Sequence, residues 1–331
     1  MFESLGVALL QADADQALAI TRAAAAHALH LEPERCVRAS TCAPGTDTAS
    51  ATWGLEAIGI PDCRYSGHGI RVAVLDTGLD FQHPDFVDRD IVAQSFVAGL
   101  SVEDRNGHGT HSAGIACGPK HPSESPRYGV AFGADLYVAR VLDDRASGAD
   151  GNILAGIDWA VRNECPVIAM SLGTPVSLGD SYSRVFEQIA SRALAAGSLL
   201  VAAAGNESSR PETIAPVEHP ANCPSILAVG AVGTCLALAP FSNGSLNADG
   251  GCVDLVAPGI AIVSCAPQPD LYQTQNGTSP ATLYVAGIAA LLAEAHPAAR
   301  GAALRTLLLR HARRLDLPAR DVGAGLAQAP R

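Results

Sequence analysis

The chain has 331 residues, 48% of them hydrophobic, enough for one large core and a small appendage. A net charge of −11 and a pI of about 5.3 argue against nucleic acid or an anionic membrane as the main partner. Nine cysteines without a CxxC pair or paired-histidine spacing suggest no zinc site.

Residues 1 to about 48 read as a separate unit. Leu5 to Leu10 suits a strand, Asp13 to His30 an alanine-rich helix capped by Asp13 or Asp15, and His30 to Ala39 a second strand. Ser40 to Ser50 is a Thr/Ser/Pro/Gly linker. The first ten residues lack a basic segment and carry Glu3, so they do not read as a signal peptide. No run of about 18 apolar residues is found to span a membrane. These readings place the protein in the cytoplasm with reduced cysteines, or outside the cell if a leader has been removed.

A larger domain, residues 49–331, follows. Arg71-Val72-Ala73-Val74-Leu75-Asp76 is an apolar run that suits a buried parallel strand with an aspartate at its end. Ala134 to Leu142, Pro166 to Met170 and Ser198 to Ala203 read as further strands. Helices are expected over Asn152 to Asn163, Tyr182 to Ala196 and Ala302 to Leu315. Short apolar strands alternating with helical runs predict an α/β fold of three layers, a mostly parallel central sheet with helices on both faces.

Three segments carry the chemistry. Asp76-Thr77-Gly78 ends a strand, Asn106-Gly107-His108-Gly109-Thr110-His111 puts His108 at a helix start, and Asn276-Gly277-Thr278-Ser279-Pro280-Ala281 delivers Ser279 to the first turn of a long apolar helix. By itself a Gly-Thr-Ser is an ordinary helix cap. Together the three supply acid, base and nucleophile in the order Asp, His, Ser. With Ser171-Leu172-Gly173, Ala203-Ala204-Gly205-Asn206 and Val256-Ala257-Pro258-Gly259, that order resembles the subtilisin-like serine proteases (peptidase S8) over about residues 52 to 328.

The resemblance implies a serine endopeptidase that hydrolyses peptide bonds through an acyl-enzyme, working as a monomer on a protein or peptide and needing no cofactor for catalysis. Asp76, His108 and Ser279 would form the triad, and the Asn206 side chain would serve the oxyanion hole. Ser171, Leu172, Gly173, Ala203, Ala204 and Gly205 would bind extended substrate and line its specificity pocket. Residues 1–48 look like a short propeptide. His111 reads as a buried structural histidine. Pro280, Leu283 and Tyr284 stand where relatives carry other residues, and repacking is expected there.

Asp85 matches a calcium ligand of many relatives. The resemblance is compatible with structural calcium, but the partner loop, Pro119 to Arg127, lacks the Asn-rich pattern, so calcium is not expected at that site and Asp85 reads as a turn or hydrogen-bonding residue. A peptidase or acyl-transfer ligase dedicated to one precursor is the alternative function. A catalytically silent binding protein is the third.

Overall fold

The computed structural model describes residues 12–26, 47–48 and 50–331. The chain divides into two compact units, Met1–Cys42 and Ala43–Arg331. In the first, α1 spans Ala14–Ala26. Asp13 caps it reciprocally: its carboxylate accepts the Gln16 N–H at 2.8 Å, and the Gln16 side chain accepts the Asp13 N–H at 3.1 Å. The two strands expected on either side of this helix lie outside the described residues.

In the second unit the chain runs α2 (Trp53–Ala57), β1 (Arg71–Asp76), β2 (Val92–Ser95), α3 (His108–Cys117), β3 (Asp135–Arg140), α4 (Asp150–Arg162), β4 (Val167–Met170), α5 (Arg184–Ala195), β5 (Leu199–Ala203), β6 (Leu227–Val232), β7 (Leu255–Pro258), β8 (Ile262–Cys265), β9 (Tyr272–Gln275), α6 (Thr278–Ala295), α7 (Ala302–His311) and α8 (Ala319–Val322). Seven strands form one parallel sheet in the order β2-β3-β1-β4-β5-β6-β7, and β8 and β9 form an antiparallel hairpin. Strands β4 to β7 are buried at every position, and β1 everywhere but Arg71. Residues of both parities can be buried only if both sheet faces are covered. Helices α3 and α6 pack on each other and on the sheet, as do α4 and α5. This is the three-layer α/β fold predicted from the alternation of runs.

The chain leaves β1, forms β3 on one side of it, and crosses back to form β4 on the other. The carboxyl end of β1 is therefore a topological switch point, where open parallel sheets leave a crevice. Asp76 is the last residue of that strand.

Helix α6 corrects one reading. By length and composition it is apolar enough to cross a membrane, but 83% of it is buried inside the fold. A helix apolar on all sides is what a central helix becomes when sheet and neighbours surround it. Its Tyr284 packs against Gly54, where a Cβ would sit 2.3 Å from the tyrosine hydroxyl. After α8, Leu326 makes single bridges to Val256 and Arg313.

Cys235 is disulfide-bonded, whereas Cys63, Cys117, Cys165, Cys223, Cys252 and Cys265 are free thiols. The expectation of reduced cysteines throughout is corrected at Cys235. Disulfides persist in oxidising compartments, so the cysteine argument for the cytoplasm is lost with it.

Candidate active site

The acid and base meet because β1 and α3 deliver them to one end of the sheet. His108 Nδ1 lies 2.8 Å and 3.0 Å from the two carboxylate oxygens of Asp76. Asp76 is fully buried, and its charge is held by three further donors: Thr77 N–H at 2.7 Å, Ser171 Oγ at 2.6 Å and Ser112 Oγ at 3.0 Å. Burial opposes ionisation, but the charge and hydrogen bond of His108, with the Ser171 and Thr77 bonds, outweigh it and keep the carboxyl below its usual range. His108 is the mirror case. Burial disfavours the imidazolium, yet the Asp76 charge and hydrogen bond, helped by Asp104, raise its pKa above the ordinary 6.5.

The position of His108 depends on Asp104, which the sequence reading passed over. Its buried carboxylate accepts five hydrogen bonds at 2.7–2.9 Å, from the N–H groups of Asn106, Gly107 and Thr110 and the hydroxyls of Thr77 and Thr110. Thr77 Oγ1 in turn accepts the Gly109 N–H at 2.8 Å. An acidic group at the start of α3 satisfies orphan N–H groups and complements the helix dipole. The loop bearing Asp104 is itself tied down by Arg140, whose side chain is 1% exposed and donates to the Ser101 and Glu103 carbonyls. The visible signal was an aspartate shortly before a helix start, a capping pattern. The buried arginine left none, because its burial follows from the pairing of β1 and β3.

Ser279 lies in the first turn of α6, where its N–H has no partner within the helix. Its hydroxyl donates to the Ser171 carbonyl at 3.2 Å, and no hydrogen bond joins it to His108 among the described residues. Ser171 thus links two members of the expected triad, its hydroxyl to Asp76 and its carbonyl to Ser279. The loop before Ser279 is fixed by Gly277 N–H to Gly259 O at 2.8 Å and by Ala261 N–H to the Asn276 side chain at 2.6 Å. Pro280 follows Ser279 in the first helical turn, where its missing N–H costs no helical bond.

The Asn206 side-chain oxygen accepts both the N–H and the hydroxyl of Thr278, at 2.8 and 3.1 Å. An N–H must meet an oxygen, so the side-chain NH₂ is left free to donate beside Ser279. The turn before it requires glycine. Gly205 has φ +108°, and a Cβ there would meet the Asn243 side chain at 2.2 Å.

His108, Ser171, Leu172 and Gly173 border an open cleft together with Leu142, Gly148 and Ile153. Ala203 ends β5, and Ala204 donates to Val229 O and accepts the Glu218 N–H. His111 lies off the cleft, buried, with Nε2 3.1 Å from Ile262 O, and burial pushes its pKa down to about 4. That fits the structural role expected of it.

The residues around Asp85 do not fit calcium. One carboxylate oxygen accepts the Ser123 N–H at 2.8 Å, and the other accepts the Tyr128 and Tyr272 hydroxyls at 2.6 and 2.9 Å. Protein donors hold the oxygens that a cation would need. Among the described residues no cluster of His, Cys, Asp and Glu could hold a metal.

Comparison with known proteins gives one answer. A model of the subtilase family, peptidase S8, matches residues 67–325. Subtilisin E of Bacillus subtilis (strain 168) is 38% identical over 264 residues, covering 78% of this chain and 65% of that protein. The chain therefore spans just under two thirds of that relative's length. Subtilisin of Bacillus pumilus is also 38% identical over 264 residues, covering 78% of this chain and 90% of that protein. The crystal structure of a cold adapted subtilisin-like serine proteinase superposes with a TM-score of 0.69 at 31% identity, covering 85% of this chain and 97% of that one. A family match over most of the chain, a shared fold and the same residue order agree: the chain belongs to the subtilase family.

Proposed function

We propose that the chain is a serine endopeptidase in which Asp76, His108 and Ser279 form the catalytic triad. The observation that carries this reading is the double role of Ser171, bonded to Asp76 through its hydroxyl and to Ser279 through its carbonyl. In the proposed cycle the Ser279 hydroxyl turns from Ser171 O to His108, which takes its proton as Oγ attacks the peptide carbonyl. Asp76 stays ionised, fixing the imidazole tautomer and stabilising the imidazolium. The oxyanion receives hydrogen bonds from the Ser279 N–H and the Asn206 NH₂. His108 then protonates the leaving amine, and water resolves the acyl-enzyme by the same route. Ser171–Gly173 would pair with extended substrate, and Ala203–Gly205 would wall its specificity pocket.

The substrate is a protein or peptide, cleaved by a monomer without a catalytic cofactor. The Cys235 disulfide favours an oxidising compartment, hence secretion over the cytoplasm. Residues 1–48 fit a propeptide, and a folded chain without them is expected to be the more active form.

Labelling with a fluorophosphonate, with the adduct located by mass spectrometry, tests the reading. The adduct is expected on Ser279 and absent from Ser279→Ala. No labelling of the folded chain, with residues 1–48 present or removed, would overturn it.

A further inference from the structure

The carboxyl group of Glu218 takes no part in the chemistry above and has no hydrogen-bond partner among the described residues. Its backbone is strapped between the two segments proposed to hold substrate. The Glu218 N–H donates to Ala204 O at 3.0 Å, and His219 and Thr174 exchange backbone bonds of 2.8 and 3.0 Å. The side chain lies directly on Gly173, where a Cβ would be 2.1 Å from Oε1. Gly173 follows Ser171 by two residues, and Gly205 donates to Thr278 beside the nucleophile. The carboxyl thus lies against Gly173, and its backbone is bonded to Ala204, which places it beside both segments proposed to hold substrate.

Three features mark it as a binding group. The residue is 6% exposed, yet no hydrogen bond or ion pair reaches its carboxyl among the described residues. Among the described residues the side-chain atoms that are both sealed and unpartnered are Thr52 Oγ1 and Tyr284 OH, so the Glu218 oxygens keep some accessible surface. The charge that acts on it is that of another acid, Glu207, whose carboxylate accepts the Asn206 N–H and the Asn243 side-chain NH₂. A buried acid facing space, with a second acid behind it and no cation, is a poor filler and a good receptor for a positive charge.

We propose that Glu218 is a specificity-determining residue that selects substrates with a lysine or arginine side chain on the acyl side of the scissile bond. This rests on the reading of the site as a peptidase and names its substrate class. The carboxyl fills the space that the missing Gly173 side chain leaves, and the cation would approach its accessible oxygens and pair with them.

Two measurements test it. The first compares kcat/KM for fluorogenic peptides that differ at that one position, carrying arginine, lysine, glutamine, methionine or leucine. Arginine and lysine are expected to exceed glutamine and methionine by about tenfold or more, since pairing a buried charge is worth at least that. In Glu218→Gln that advantage should fall to near one. Equal rates in the wild type, or an advantage that survives in the variant, would overturn the proposal.

The second needs neither turnover nor a variant. Calorimetric titration of the full chain with benzamidinium and with neutral benzamide should show the cation binding about tenfold more tightly or better. Equal binding would overturn the proposal. Failure of the peptidase reading would appear separately, as absence of a Ser279 adduct, while the titration still reports on the slot.

Discussion

Replacing Glu218 with glutamine should make stability at neutral and alkaline pH less dependent on pH. Burial, then the charge of Glu207, pushes the Glu218 pKa from 4.5 to about 8. Between those values the folded chain keeps a proton that the unfolded chain has released, so wild-type stability falls as pH rises. At about 1.4 kcal/mol per pH unit, a rise of this size costs roughly 5 kcal/mol by the time pH passes the folded value. Glutamine keeps the shape and does not titrate. The wild type should therefore lose ground to Glu218→Gln across this window by several kcal/mol, a large fraction of a typical domain's stability. Urea unfolding of both proteins, each with Ser279→Ala to prevent self-digestion, from about pH 5 to about pH 9 would measure the difference and cancel contributions common to both. His108, raised by Asp76, and Asp76, lowered by His108, titrate alike in the two. A difference that stays flat across this range would refute the reasoning. It would mean that the carboxyl is hydrated and titrates normally, with no desolvated slot around it.

Three further outcomes follow from the site. The rate of Ser279 labelling should rise with pH along a limb centred above 6.5, because Asp76 holds the His108 proton past its ordinary value; a limb below 6.5 would contradict the pairing. Asn206→Ala should lower kcat by about 10²–10³, the loss known for an oxyanion-hole asparagine in subtilisin. An unchanged kcat would remove Asn206 from the oxyanion hole. Asp104→Ala leaves four buried donors and one partly buried one without their acceptor and should destabilise the chain by about 3 kcal/mol or more, read by urea unfolding, and slow labelling through a displaced His108.

The sequence by itself determined the layers of this fold and the cast of its candidate site. Periodicity is local: a run such as Val72 to Leu75 must be buried on both sides, and Ala-rich segments of ten or more residues must coil. The order Asp76, His108, Ser279, with glycines around each, was legible because sharp turns into helix starts need small residues. Pairing decided the rest. Strands β2, β6 and β7 and the β8–β9 hairpin were not read as strands from the sequence; β2 and β9 are only partly buried and so lack the continuous apolar run that marked β1. Glu218 looked like one more acidic residue on an acidic chain. Only the strap from Ala204 and Thr174 buries it, and only the missing side chain of Gly173 lets its carboxyl lie where it does. Desolvation and charge pairing depend on distance in space, and the distance between Gly173 and Glu218, far apart in the chain, is set by the tertiary fold alone.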